Sequence, residues 1–259
     1  MTVPRGLRLY PADRFNDYIA IATQHPTPAE WRLVDDLLAP GGRGVFVDVG
    51  ANVGSMSLLA HSTGHASSIL AFEPAHRYCE AWHRNMIQNN VRNATLFQTA
   101  VGDYDGAVEF RIDPAMPLNG KIDLGQVHYS TQTQKVRIVK LDSILNSIDL
   151  ESIALIKIDV EGAEPLVLRG AEQILTSGRA RAVLFEFIVE FIEDMQENPY
   201  EFIYMVLQLG FKLYKIETDG RHTELDNRDP RAIVDERRVA PDAPLRPFEG
   251  INLVAKSIV

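Results

Sequence analysis

Two hydrophobic patterns alternate along the chain. Short, nearly continuous apolar runs, of which Val45-Phe46-Val47-Asp48-Val49 is the clearest, read as central parallel strands covered on both faces. Similar runs at Ser68 to Phe72, Thr95 to Val101, Ala154 to Ile158, Ala182 to Phe187, Phe211 to Ile216 and Ile251 to Ala255 predict about seven strands. Between them lie longer segments of helical period: from about Ser55, from Pro74 to Asn89, from Pro165 to Thr176 and from Pro199 to Leu209. An earlier helix opens at the capping box Thr27-Pro28-Ala29-Glu30, runs amphipathically through Trp31, Val34, Leu37 and Leu38, and ends at Gly41, Gly42 and Gly44. Parallel strands need helical crossovers, so the alternation predicts a doubly wound α/β sheet with helices on both faces.

Two stretches break the pattern. Residues near 113–134 mix Pro, Gly, Asn, Ser and Thr without a sustained period, and residues near 218–247 are rich in Arg, Asp and Pro. Long irregular segments in a compact domain are often functional, so both are expected on the substrate side. Phe187 to Met195 is a shorter amphipathic run that reads as a lid or core helix, or alternatively as a partner-binding surface.

Composition narrows the class. With 259 residues and 46% hydrophobic residues the chain can bury a full core, and a net charge of -9 gives no general attraction for phosphate backbones or anionic lipid. Neither nucleic acid nor membrane is therefore expected as a partner; homo-oligomers stay open. No apolar stretch approaches the roughly 20 residues of a spanning helix, and Met1 to Asp17 lacks a signal-peptide core, so a cytoplasmic location is expected. The single cysteine, Cys79, falls on a helical pattern and reads as a small buried side chain.

In open α/β sheets ligands bind beyond the carboxyl ends of the strands, so motifs there carry the weight. Gly50 and Gly54 bracket a tight turn from strand to helix, Asp48-Val49-Gly50-Ala51-Asn52-Val53-Gly54, where backbone N–H groups can approach a ligand. The spacing is neither Gly-x-Gly-x-x-Gly nor a P-loop, and Asp48 would repel phosphate while suiting a ligand's ammonium group. Glu73 ends the second strand 23 positions after Gly50, near the separation at which an acidic residue reaches a ribose diol, and Pro74 starts the next helix. Ala100, Val101, Gly102 and Asp103 follow the third strand, where a base attached to that ribose would fall; the alternative is a simple turn. Together these suit an amino-acid-bearing nucleoside.

Asp159, Glu161 and Glu164 crowd the end of the fourth strand, in Lys157-Ile158-Asp159-Val160-Glu161-Gly162-Ala163-Glu164-Pro165. Carboxylates this close raise one another's pKa or share a cation, and either arrangement can hold a hydroxyl and accept its proton. Glu161 and Glu164 have a simpler reading as helix-dipole partners of the Pro165 helix, and Lys157 reads as structural, paired with a neighbouring carboxylate. His128, in the first irregular stretch, is a further candidate base, and Glu186 can line the same cleft. A divalent cation between Asp159 and Glu186 is chemically conceivable but has no decisive ligand spacing behind it.

Taken in order, Asp48 to Gly54, Phe72-Glu73-Pro74, Leu141-Asp142, Lys157 to Glu164 and Val167-Leu168-Arg169-Gly170-Ala171 resemble the FkbM family of methyltransferases, over roughly Val45 to Phe187. The resemblance implies a class I Rossmann-like fold; the pattern of elements sets an N-terminal helical cap over 1–44 ahead of a methyltransferase domain over 45–259, a single domain overall with the two irregular stretches as inserts. It further implies S-adenosylmethionine as methyl donor, leaving as S-adenosylhomocysteine, bound at Asp48, Gly50, Asn52 and Glu73; the strand-end positions add Ala51, Gly54, Pro74, Ala100, Val101 and Asp159 as donor-site candidates. O-methylation of a sugar, glycan or natural-product hydroxyl is then expected, with Asp159, Glu161 and His128 as catalytic candidates. An amino-methyltransferase is the rival; Asn198-Pro199-Tyr200 only partly resembles the Asn/Asp-Pro-Pro-Tyr/Phe motif of such enzymes and comes one strand late. A donor-binding protein without catalysis is the other alternative.

Overall fold

In the computed structural model, residues 9, 28–112, 120–123, 132–150, 152–217, 219–225, 229–238 and 252–257 are described. Thr27 and His128 lie outside the described residues. Among the described residues the main sheet has eight strands in the order β11-β10-β12-β9-β8-β1-β2-β3. Its central members are β1 (Gly44–Val49), β2 (Ala66–Phe72), β3 (Ala94–Phe97), β8 (Ile153–Ile158) and β9 (Ala182–Glu186), all parallel. β12 (Asn252–Ser257) runs antiparallel between β9 and β10 (Phe211–Ile216), and β11 (His222–Glu224) adds a hairpin edge. The chain winds outward from β1 to β3, returns to β8 on the other side of β1, and so creates a switch point between β1 and β8.

Strand alternation distributes the core. Val45, Val47 and Val49 of β1 face a layer built by α4 (Leu141–Leu145), α5 (Glu164–Arg169), α6 (Glu172–Thr176), α7 (Val189–Asp194), α8 (Pro199–Gln208) and α9 (Pro230–Arg238). Phe46, one residue out of phase, joins Leu155 and Leu184 against α1 (Pro28–Leu38) and α2 (Ser55–Thr63). Phe46 is fully buried, so Phe46→Ala would cost about 3–5 kcal/mol through the cavity it leaves. Leu33, Val34, Leu37 and Leu38 of α1 are buried in that same cluster, which makes α1 part of the layer covering the sheet. α3 (His76–Gln88) packs Trp82 and Met86 against Ala51 and Ala71.

Four expectations need correction. The strand predicted from Thr95 to Val101 divides: β3 ends at Phe97, and β4 (Ala100–Val101) pairs instead with β7 (Gln132–Val139) in a second sheet of order β4-β7-β5-β6. β5 (Gly106–Ile112) and β6 (Lys121–Ile122) complete that sheet, so part of the stretch expected to be irregular is strand. The helix predicted from Pro165 to Thr176 breaks at Gly170, where the chain crosses so close to Gly102 that a Cβ would lie 1.9 Å from the Gly102 carbonyl oxygen. The late irregular stretch likewise contains β11 and α9, leaving residues 239–251 outside the description.

Candidate active site

The carboxyl ends of β1, β2, β8 and β9 converge at the switch point. The turn after β1 is left-handed at Gly50 (φ 76°), Asn52 (φ 49°) and Gly54 (φ 91°). Gly50 is sterically required, because a Cβ would sit 1.8 Å from the Asp159 carbonyl oxygen. Backbone bonds from Gly50 and Ala51 N–H to the Phe72 carbonyl, both 3.0 Å, pin the turn to β2. The buried Asn85 amide donates to the Val53 carbonyl at 2.7 Å and holds the far side.

Glu73 is buried under this turn. Its Oε2 accepts the Asn52 N–H at 2.9 Å and its Oε1 the Ala75 N–H at 2.8 Å. Burial pushes its carboxyl up to about 7, against the pull of those two N–H groups. One lone pair on each oxygen remains for a ligand diol. Pro74 lies between Glu73 and the Ala75 N–H that orients it.

Asp48, expected to face a ligand's ammonium group, is fully buried. Its Oδ2 accepts the Ser57 hydroxyl at 2.6 Å, and its Oδ1 lies 3.7 Å from Lys157 Nζ. Lys157 also donates to the Gly50 carbonyl at 3.0 Å and sits 3.3 Å from Asp159 Oδ2. Burial opposes the Lys157 charge, but Asp159 and Asp48 outweigh it and leave the ammonium above its ordinary range. Burial raises the Asp48 carboxyl, with Lys157 and Ser57 pulling the other way. Asp159 is the open member of the group, its side chain 43% exposed.

Beyond Asp159 the chain turns through Glu161, left-handed at φ 58°, and Gly162 at φ 101°, where a Cβ would meet the Phe191 carbonyl oxygen at 2.2 Å. A non-glycine residue held left-handed stores strain of about 1–2 kcal/mol, which the packing of α7 over the turn offsets. Glu164 folds back to accept the Val160 N–H at 2.9 Å; burial lifts its carboxyl to about 7. Burial, then Asp159 and Glu164, push Glu161 up to about 8; burial, then Asp159, Glu161 and Glu164, push Glu186 up to about 9. Among the described residues no group of three or more His, Cys, Asp or Glu side chains is arranged to hold a metal ion.

The structure thus brings Asp48, Gly50, Ala51, Asn52, Gly54, Glu73, Pro74, Asp159 and Glu161 into one neighbourhood. Ala100 and Val101 are buried in the join between the two sheets, and Asp103 is bound by Arg169 at 3.0 Å, which also grips Glu197 through two bonds. Asn198 caps α8 by accepting the Tyr200 and Glu201 N–H groups, which gives Asn198-Pro199-Tyr200 a helix-start role. Phe187, Val189, Ile192 and Met195 are buried, as suits a core helix. Ser57 and Asn85 belong to the site and carry no sequence signal, because their partners, Asp48 and Val53, meet them only through the fold.

These residues fit a nucleoside carrying a positively charged amino-acid group: a carboxylate with free lone pairs at the end of β2, a close glycine turn at the end of β1, and several buried acids around one buried lysine. The fold is that of class I Rossmann-like methyltransferases, a mostly parallel sheet with β12 reversed between β9 and β10 and β11 reversed at the edge. The methyltransferase FkbM domain model matches residues 48–213, and the chain belongs to that family. It is 30% identical over 144 residues to Methyltransferase 1 of Beauveria bassiana, covering 49% of this chain and 58% of that protein. It is 30% identical over 149 residues to the 2-O-methyltransferase NoeI of Sinorhizobium fredii, covering 52% and 60%. To the 31-O-demethyl-FK506 methyltransferase FkbM of Streptomyces tacrolimicus it is 29% identical over 162 residues, covering 52% and 61%. The matched part thus spans about three fifths of the length of these curated relatives.

Proposed function

We propose that the chain transfers a methyl group from S-adenosylmethionine to a hydroxyl oxygen of a sugar, glycan or other small natural product. The observation that carries this reading is the half-exposed Asp159 carboxylate, fixed by Lys157 at the mouth of the sheet beside the Gly50 turn. Two relatives point the same way: one is named a 2-O-methyltransferase, the other a methyltransferase of 31-O-demethyl-FK506.

The donor supplies an electrophilic methyl group on a sulfonium. Glu73 would accept hydrogen bonds from the ribose diol, and the Gly50 to Gly54 turn, whose N–H groups are bonded within the protein, would let its backbone approach the donor closely where the two glycines carry no side chain. Asp159 orients the acceptor hydroxyl and takes its proton as the oxygen attacks. Glu161 and Glu186, protonated at neutral pH by burial and mutual repulsion, donate hydrogen bonds to neighbouring acceptor oxygens. Most of the acceleration comes from holding two reactants at attack distance.

The test is incubation with methyl-labelled S-adenosylmethionine and a panel of monosaccharides, oligosaccharides and polyketide alcohols. Label recovered as a methyl ether is the expected result. Label on an amine nitrogen, or no donor binding in a titration, would overturn the reading.

A further inference from the structure

Strand geometry alone places three charged side chains in a row. Lys157 and Asp159 are two residues apart and point to the same side of β8, and the parallel register sets Asp48 of β1 beside Lys157. From its buried end the row starts at the Trp82 indole on α3, which donates to Ser57 Oγ at 3.1 Å; Ser57 then donates to Asp48. Lys157 has three N–H groups and three oxygen neighbours: Gly50 O, Asp159 Oδ2 and Asp48 Oδ1. A lysine stem normally keeps much rotamer freedom, and here both ends of it are fixed.

We propose that Lys157 is a positioning residue: anchored from behind by Asp48 and Ser57, it ties the Gly50 carbonyl that opens the donor turn to the Asp159 carboxylate. One cation therefore sets the donor side of the site against the acceptor side, and Asp48 serves the reaction through Lys157 without touching donor or acceptor. The inference rests on the proposed methyl transfer for its kinetic consequence, but not for its structural one. A buried ion pair by itself is weak evidence of a stabilising role, since replacing both partners by neutral side chains of similar volume is often neutral for folding. That makes the two roles separable.

The experiment compares the pair Asp48→Asn with Lys157→Met, the single change Asp159→Ala, and all three together, each checked for folding by circular dichroism. If Lys157 acts through Asp159, the pair lowers kcat by at least about tenfold, with acceptor KM and donor affinity held within about threefold. The triple variant is then no slower than Asp159→Ala alone, within about twofold. Losses that multiply in the triple variant, or a folded pair with wild-type kcat, overturn the proposal. Ser57→Ala, which keeps every charge, is the milder variant; it lowers kcat several-fold at unchanged donor affinity, and an unchanged kcat counts against the anchor. Hydrogen exchange of peptides covering residues 48–54, without any ligand, accelerates in the pair if Lys157 holds the turn and stays at the wild-type rate if it does not. A wild-type chain that transfers no methyl group defeats the proposed function, and the exchange result alone then decides the tie at Gly50.

Discussion

Glu73→Gln isolates the carboxylate proposed to hold the donor ribose, because the change is nearly isosteric and its consequences differ with pH. In the free protein burial places the Glu73 carboxyl at about 7. A ribose diol donates hydrogen bonds, so binding requires the ionised form, and affinity falls as pH drops through that value. The ionised fraction goes from about 0.9 at pH 8 to about 0.1 at pH 6, which weakens donor binding about tenfold, or about 1.4 kcal/mol. Gln keeps the shape but loses the charge, and its amide nitrogen must face either the Asn52 or the Ala75 N–H that Glu73 now accepts. Losing charge-assisted bonds of about 1.5–3 kcal/mol each predicts roughly 10- to 100-fold weaker binding at pH 8 and no remaining Glu73 contribution to the pH slope. Calorimetric titration with S-adenosylhomocysteine at pH 6, 7 and 8 measures both quantities. Glu161, Glu164 and Glu186 also titrate in or near this range, so the informative quantity is the difference in slope between the two proteins. Equal slopes, or a variant within about twofold of wild type at pH 8, would falsify the assignment of Glu73 to the ribose.

Three further outcomes follow from the same geometry. Between the ordinary carboxylate pKa and values of about 7 to about 9, the fold holds protons on Glu73, Glu164, Glu161 and Glu186 that the unfolded chain has released. Stability of the ligand-free protein should therefore fall as pH rises from 6 to 9, and a thermal midpoint that rises over this window would contradict buried, protonated acids. Gly50→Ala forces a Cβ against the Asp159 carbonyl at φ 76° and should cost at least about 2 kcal/mol. A thermal scan that leaves the midpoint within about 2 °C of wild type would refute that. Asp142→Ala removes the acceptor of the Gln173 and Ile174 N–H groups, both at 2.9 Å, and should destabilise by about 1–3 kcal/mol while turnover per folded molecule stays unchanged. Denaturant titration paired with an activity assay checks both halves.

What the sequence shows best is what strand period and glycine chemistry dictate locally. β1, the turn after it and Glu73 at the end of β2 are legible because an apolar run, a tight turn and an acidic strand end each leave a contiguous mark. The departure of Ala100–Val101 into a second sheet leaves none, since pairing with β7 joins residues almost forty positions apart. The break at Gly170 is hidden for the same reason: its cause is the Gly102 carbonyl. Asp48 shows the subtler failure. Its place at a strand end suggests a ligand contact, but only the register with β8 and the arrival of Ser57 from α2 reveal that both its oxygens face inward. Leu141-Asp142 is visible as a string, yet its task, capping α6 some thirty residues later, appears only when the two segments meet.

The segment from Lys157 to Glu164 is better understood as a mechanism of placement than as a cluster of acids. Ile158 points to the core while Lys157 and Asp159 point to the site, as strand alternation requires. Val160 gives its N–H to Glu164, which closes a one-turn loop, and Glu161 and Gly162 take the left-handed angles that let the loop slide beneath the Phe191 carbonyl. The loop carries Glu161 back into the field of Asp159 and Glu164, where burial and repulsion hold its proton. One carboxylate is thereby paired with a lysine and open to solvent, and burial pushes its neighbour towards the neutral form. An acceptor and a donor of hydrogen bonds at the same mouth is what a vicinal polyol can use, since one hydroxyl must give up a proton while the next must be held. On that ground neutral polyols should outperform phosphorylated or carboxylated ones as acceptors, because an anion would meet the Asp159 carboxylate and a lysine already occupied by Asp48 and Asp159. An acceptor panel in which anionic sugars react faster than their neutral parents would show that the charge of this mouth is set by something other than these residues.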